Sequence, residues 1–524
     1  MRILVADGLD AEGIALLRTQ AEVDVPSGLT AADLPAAIRE VDAVVVRSRT
    51  LITDAVLRHA SRLRVIARAG VGVDNIDTEA ATRRGILVVN APDSSTVSTA
   101  EHTLAMLLAL ARRIPAAHAA AAQGSWSRDR FTGVELYGKT LGIIGLGKIG
   151  GEVARRAQAF GMQVIAYDPF VTAERGARLD VELVGWEALL ARSDVLTLHV
   201  PLTEGTRRLI NRDALARLRR GALIVNCARG GLIDEDALLA ALEEGHIGGA
   251  ALDVFADEPP GHGGLNAHPR VVVTPHLGAS TAEAQRRIGL EVAAQVLAAL
   301  AGRPVKGAVN APTVPEDTWQ RLGPYIELAG QLGRIAQQLG GGQVQRVEFS
   351  YEGEIASWET EWLHAAFLRS LLAPVLAQPV NLINAAVLAR DRGIALSERR
   401  DERGEDFSTL LRVRVVTTHG ALTLAGTVFG RRDPRVVFFD GYRIDLVPAP
   451  FMLWIWNEDR PGMIGKVGTL LGNADVNIAS MQVGRDAPRG RAVMVLGLDD
   501  PVPEGLLDAL RRIDGIVDVK PIRG

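Results

Sequence analysis

A glycine-punctuated turn between an apolar run and an amphipathic run constrains this chain more than any other feature. Leu141-Gly142-Ile143-Ile144-Gly145-Leu146-Gly147-Lys148-Ile149-Gly150 reads as a strand, a G-x-G-x-x-G turn and the start of a helix. In such a turn Gly145 permits the tight bend, Gly147 lets backbone approach a pyrophosphate, and Gly150 lets helix and strand pack closely. A second apolar run, Gln163 to Tyr167, ends in Asp168, near the ~20-residue spacing at which an acid grips the ribose hydroxyls. A carboxylate there disfavours a 2′-phosphate, so NAD is the expected cofactor. The bland alternative is a glycine turn in an unrelated α/β domain, which the agreement of strand, helix and acid disfavours.

The 524 residues leave room for roughly three or four domains. Ahead of the glycine turn, β-branched runs at Ile3 to Ala6, Ala43 to Arg47, Val65 to Arg68 and Leu87 to Asn90 alternate with helical patterns, as an open parallel α/β unit requires. An Ala- and Leu-rich pattern from Thr99 to about Ala122 reads as one long helix. A second α/β series then runs from Thr140 to about His276, and a helix from Thr281 to Leu300 is expected to cross back and complete the first unit.

Pro312 and Pro315 mark a linker, followed by helices near Thr318 to Leu339 and Trp358 to Leu372 and then strands toward Leu446. Leu411, Val413 and Val415 alternate with Arg412 and Arg414, the period of a half-buried strand. After Val447-Pro448-Ala449-Pro450 the pattern reads strand, helix, strand, strand, helix, strand. The expected architecture is α/β. A flavodoxin-like substrate domain (residues 1–98, completed by 282–310) is joined to a Rossmann nucleotide-binding domain (99–281). An α+β intervening domain (311–446) and a ferredoxin-like βαββαβ domain (451–524) follow.

Composition removes several classes of function. A net charge of -4 with mixed signs offers no basic stripe, so nucleic acid is not an expected partner. No apolar run approaches the ~20 residues of a membrane helix, and the start lacks a secretory pattern, so a cytoplasmic protein without a membrane partner is expected. The single cysteine, Cys227, excludes an internal disulfide and a Cys-based metal cluster, and no metal is expected.

Three apolar runs end in residues suited to hydroxyacid chemistry. Arg229 follows Ala222 to Ala228, Glu258 follows Ala250 to Phe255, and His276 follows Val271 to Pro275. Ligands of open α/β sheets bind at such strand ends. Arginine can hold a carboxylate bidentately, histidine titrates near neutrality, and a neighbouring carboxylate would orient it. Singly, each has a bland reading: an arginine on loop carbonyls, a surface glutamate, a structurally satisfied histidine.

The surrounding segments, Asn226-Cys227-Ala228-Arg229-Gly230-Gly231-Leu232-Ile233-Asp234-Glu235, Leu252-Asp253-Val254-Phe255 to Glu258-Pro259, and Thr274-Pro275-His276-Leu277-Gly278, resemble the signatures of the D-isomer-specific 2-hydroxyacid dehydrogenases. The resemblance covers residues 1 to about 310 and implies that Arg229 binds substrate carboxylate, His276 is the acid/base and Glu258 supports it. It also implies that Val71, Lys148, Ile149, Val200, Cys227, Ala228, Asp253, Gly278 and Ala279, with Arg229 and His276 themselves, surround the cofactor. Cys227 then reads as a small packing residue rather than a nucleophile.

Substrate choice rests on the first domain. Val46-Arg47-Ser48-Arg49-Thr50 and Ala67-Arg68-Ala69-Gly70-Val71-Gly72-Val73-Asp74-Asn75 resemble the substrate loops of the long branch of the family, which acts on 3-phosphoglycerate. The resemblance implies that Arg47, Ser48 and backbone about Gly70 to Gly72 receive the substrate, that Arg68 adds charge, and that Arg128 acts across a subunit boundary. Asn457-Glu458-Asp459-Arg460-Pro461-Gly462 with Val476-Asn477-Ile478 resembles an ACT domain. That likeness implies an amino-acid effector, L-serine, held by Asn457, Asp459, Asn477 and backbone near Gly462; the bland alternative is an assembly element. Segment 311–446 resembles the branch's intervening domain. The expected activity is oxidation of 3-phosphoglycerate to 3-phosphohydroxypyruvate with NAD, opening serine synthesis, in a homo-oligomer (dimer or tetramer). The rivals are a glyoxylate or hydroxypyruvate reductase and a non-catalytic NAD sensor.

Overall fold

In the computed structural model, which describes every residue except Glu405 and Arg431, the first β-branched runs form a five-stranded parallel sheet. Its chain order is 2-1-3-4-5, the flavodoxin-like arrangement. The helix Ala282–Leu300 returns to this sheet: Ile288, Val292, Ala293 and Val296 share a core with Ile3, Val5, Val45, Ala67 and Val89. Thr281 starts that helix by accepting the Ala284 N–H.

The second sheet has seven parallel strands. Counted from Thr140–Ile144, their order is 3-2-1-4-5-6-7. The order reverses between Thr140–Ile144 and Val195–Leu198, which opens the crevice where a dinucleotide lies in such sheets.

The continuous helix expected from Thr99 to Ala122 is instead two, Thr96–Ala111 and Ile114–Ala122, meeting at 62°. Arg113 takes a left-handed φ of 53°, and Pro115 lies in the first turn of the second helix. Proline lacks the N–H that a continuous helix needs, and its ring crowds the preceding turn, so the chain breaks just before it. Among the described residues no single helix is long and apolar enough to cross a membrane.

The third sheet is mixed, six-stranded, and backed by Glu316–Leu339 and Glu361–Leu372. The second of these begins later than the expected Trp358, which instead has extended backbone at the end of a 3-10 turn. Leu411, Val413 and Val415 are buried, while Arg412 and Arg414 turn to Glu352 and Glu348 at 3.0 and 3.1 Å. The last sheet is antiparallel with strand order 2-3-1-4, as the ferredoxin-like pattern requires. One face meets its own helices through Leu453, Ile455 and Val519; the other, through Met452, Trp454, Val493 and Val495, joins the core of the third sheet. The third domain also touches the first, where the Asn381 amide donates to Gly85 O at 2.7 Å.

Candidate active site

Gly145, at φ 91°, turns the chain off the first strand of the second sheet. A Cβ on Gly150 would lie 2.1 Å from Gly145 O, so close packing of helix on turn demands glycine there. A Cβ on Gly147 would meet no protein atom within 4 Å. Nothing in the chain requires glycine at that position, which leaves the approach of an outside group, and a pyrophosphate fits. Lys148 and Ile149 open the following helix, with the Lys148 ammonium paired to Asp93 beyond the first sheet.

Asp168 stands at the end of Gln163–Tyr167 and accepts the N–H groups of Leu146 and Phe170, both at 2.9 Å. Its carboxylate is thereby fixed beside the glycine turn, where a ribose diol would be read. Asp168→Ala is expected to lower the NAD to NADP ratio of kcat/KM by about tenfold, near the value of one charge-assisted hydrogen bond; an unchanged ratio in steady-state assays would reject the assignment.

Arg229, Glu258 and His276 stand beyond the carboxyl ends of the neighbouring strands Ala222–Asn226, Ile247–Leu252 and Val271–Val273. His276 Nδ1 lies 2.8 Å from Glu258 Oε2. Burial, the largest influence, works to raise the Glu258 carboxyl, but the His276 hydrogen bond, the His276 charge and the Phe255 N–H together outweigh it and hold the group below its ordinary range. Because an ionised carboxylate only accepts, Nδ1 is the donor, and Nε2 is left free to take a proton. Both side chains remain partly open to the cleft, 40% and 38% exposed, which a substrate-binding pair requires.

Arg229 reaches from the second sheet to the first: its Nε donates to Asp74 Oδ2 at 2.8 Å and its Nη1 to Ala228 O at 2.6 Å. Gly72 lies under the guanidinium, and any Cβ there would fall 1.6 Å from Nη2. Arg47 and Arg68 end adjacent parallel strands on the facing domain. Burial, followed by the nearby guanidinium charges of Arg229 and Arg47, depresses Arg68 to about 10; the Asp74 and Asp7 carboxylates offset this only in part, so three like charges share the region. Gly70, Val71 and Ser48 belong to the same loops, and Ser48 is exposed.

Cys227 is buried, and burial with the Asp253 charge pushes its thiol up to about 12, consistent with packing rather than nucleophilic attack. His102, Cys227 and Asp253 bring possible ligand atoms within 4.8 Å of one another. Asp253 nonetheless accepts from Thr274 Oγ1 and from the Leu277 and Gly278 N–H groups, and the thiol is held protonated, so the trio reads as hydrogen-bonded packing. Ala228, Val200 and Ala279 lie beside these strand ends, Val200 against Gly145. Sequence reasoning missed Asp74, Asp93 and His102. A cavity of about 560 Å³ lined by Arg113, Arg130, Arg219 and Arg270 sits at the opposite end of the second sheet and holds none of this chemistry.

In the last domain, Asp459 accepts from Arg489 N at 3.0 Å and Arg485 Nη1 at 3.2 Å, and these bonds hold it below its ordinary range. Asn477 donates to Asp499. Gly462 has φ 89° at the start of Met463–Asn473. Asn457 is buried with its Oδ1 lacking a partner. Arg128 precedes the 3-10 turn Asp129–Phe131 on the segment after Ile114–Ala122, a helix that buries no residue.

Comparison with known proteins agrees with this arrangement. The D-isomer specific 2-hydroxyacid dehydrogenase NAD binding domain matches residues 104–278, the D-3-phosphoglycerate dehydrogenase intervening domain matches 321–440, and the ACT domain matches 452–515. The chain is 44% identical to D-3-phosphoglycerate dehydrogenase of Synechocystis sp., covering 100% of this chain and 94% of that one. It is 46% identical to the protein of the same name from Methanocaldococcus jannaschii, covering 100% and 99%. Among solved structures, TT0316 protein from Thermus thermophilus superposes with TM-score 0.55 at 39% identity, covering 59% of this chain and 100% of that one. D-lactate dehydrogenase from Aquifex aeolicus, complexed with NAD and lactic acid, gives TM-score 0.51 at 28% identity, covering 60% and 100%.

Proposed function

This chain belongs to the D-isomer specific 2-hydroxyacid dehydrogenase family, and on that premise we propose that it oxidises 3-phospho-D-glycerate to 3-phosphohydroxypyruvate with NAD, at the entry to L-serine synthesis. The observation that carries the choice of substrate is the cluster of Arg229, Arg47 and Arg68 on the two cleft walls. A substrate bearing a carboxylate at one end and a phosphate at the other can engage more of this cationic cluster than lactate or glyoxylate, which bring one anionic group only.

NAD, when bound, accepts the hydride that leaves C2 of the hydroxyacid. Arg229 holds the carboxylate and polarises the adjacent oxygen. His276 Nε2 takes the hydroxyl proton as the C2–O bond becomes a carbonyl, and Glu258 stabilises the resulting imidazolium through Nδ1. Closure of the two domains excludes water from the cleft.

Serine regulation is supported by the ACT match and by the buried, unpaired Asn457 Oδ1, an acceptor suited to an ammonium, next to Asp459 and the Gly462 turn. Assembly into dimers or tetramers is supported by the apolar helix Ile114–Ala122, which buries nothing in the single chain, and by Trp126 and Tyr137 nearby at 81% and 79% exposure. A cytoplasmic setting suits a chain whose one thiol is buried and unpaired.

Following NADH absorbance with 3-phosphoglycerate, glycerate and lactate, with and without serine, tests the reading. The expected result is kcat/KM at least about a hundredfold higher for 3-phosphoglycerate, the scale of one extra buried ion pair, and inhibition by serine. Tight NAD binding without turnover of any acid would point to a sensor instead.

A further inference from the structure

The helix Thr96–Ala111 carries the chain from the first sheet to the second and packs on the second. Side chains three and four apart along it share one face, and here that face meets the turn bearing His276. Ser98 Oγ donates to Gly278 O at 2.7 Å, and the Thr99 hydroxyl reaches the same oxygen at 3.3 Å. One turn on, His102 Nε2 lies 3.2 Å from Thr274 Oγ1 and 3.1 Å from Asp253 Oδ1.

That turn needs holding. His276 adopts φ 56°, a left-handed conformation that costs a side-chain-bearing residue of the order of 1 kcal/mol. Its own N–H donates to Asp253 O at 2.9 Å, and the next two N–H groups, of Leu277 and Gly278, donate to the Asp253 carboxylate at 2.7 and 2.9 Å. Asp253 therefore binds the turn through both its backbone and its side chain. It is 1% exposed, and an ionised carboxylate so placed persists only when its donors compensate the lost water. Burial works to raise the Asp253 carboxyl; the nearby His102 imidazole, then the Thr274 hydroxyl and the Leu277 N–H, outweigh it and leave the group below its ordinary range.

We propose that His102 is a positioning residue for the reaction: its Nε2–H, donated to Thr274 Oγ1, commits the Thr274 hydroxyl proton to Asp253, keeps that carboxylate ionised and directed at the Leu277 and Gly278 amides, and so fixes the left-handed turn that sets His276 against Glu258. The donor directions follow from the chemistry: an ionised carboxylate can only accept, so the single Thr274 hydroxyl proton goes to Asp253 and its oxygen accepts the His102 N–H. His102 acts through Thr274 and Asp253 rather than on the reacting atoms. The inference rests on the reading of His276 as the acid/base.

Removing the donor tests it. His102→Leu in the full-length enzyme is expected to lower kcat by about thirtyfold, within the range seen when a reacting group is displaced by a fraction of an ångström, and to raise the deuterium isotope effect measured with substrate deuterated at C2. His102→Gln, whose amide nitrogen occupies the place of Nε2, is expected to recover most of the rate and return the isotope effect toward the wild-type value. Wild-type kcat and isotope effect in His102→Leu would overturn the proposal, as would His102→Gln and His102→Leu equally slow at the wild-type melting temperature. If His102→Leu does not fold, His102→Asn replaces it; an Asn side chain is too short to reach Thr274 Oγ1, and equal rates for the Asn and Gln variants would overturn the proposal. The assay uses whichever 2-hydroxyacid the wild-type enzyme turns over, so an error in substrate identity leaves the test intact, and loss of turnover in His276→Ala separately checks the reading it rests on.

Discussion

Replacing His276 by alanine is expected to reduce kcat about a thousandfold while NADH still binds with an affinity within about threefold of wild type. The first figure is the mid-range contribution of a positioned general acid or base, and it applies in full here because no second histidine among the described residues is bonded to Glu258. The second follows from where the residues proposed to hold the cofactor lie. Asp168, Gly147 and the helix that begins at Lys148 belong to the other half of the second sheet and do not depend on the imidazole. Glu258→Gln should cost less, about tenfold, because an amide can still hold the ring through its oxygen but no longer balances an imidazolium. Stopped-flow fluorescence separates the two effects: NADH binding should persist in both variants while the absorbance change at each turnover disappears in the first. Turnover in His276→Ala above a tenth of wild type would remove the histidine from the mechanism.

The parts of this molecule that are written locally were legible from the chain. The glycine turn, the acid after the next strand and the alternation of Leu411, Arg412, Val413, Arg414 and Val415 each follow from periods of a few residues, and the structure places all of them as read. Arg229, Glu258 and His276 were legible as strand-end residues, although the bond between Glu258 and His276 was not; the sheet order sets their strands side by side. The break at Arg113 was misread because the alanine-rich stretch has high helix propensity on both sides of it, although Pro115 was the available signal. Asp74 and His102 could not have been found in this way. Asp74 meets Arg229 across 155 positions of sequence, and His102 sits in a helical pattern where a histidine facing inward looks the same whether it packs or donates. Contacts of this kind depend on how the two sheets are set against each other, which no local period encodes.

Arg229→Ala is expected to lower kcat/KM for the hydroxyacid by about a thousandfold, most of it in KM. Two charge-assisted hydrogen bonds to a carboxylate contribute about 4 kcal/mol together, and each 1.36 kcal/mol is roughly tenfold. Arg229→Lys keeps the charge but loses the planar fork, so it should recover only part of the loss and remain about thirtyfold impaired. The structure adds a control. Without substrate the guanidinium is held by Asp74 from the opposite wall of the cleft, so a substrate carboxylate must compete with that side chain. Asp74→Asn removes the competing charge without removing the arginine and should leave kcat/KM within a few-fold of wild type, with any change falling in KM. If Arg229→Ala and Arg229→Lys were equally impaired, charge would count for nothing at this position. If neither changed KM, the carboxylate would have to be bound elsewhere, and the assignment of the cleft's anion-binding wall would fall with it.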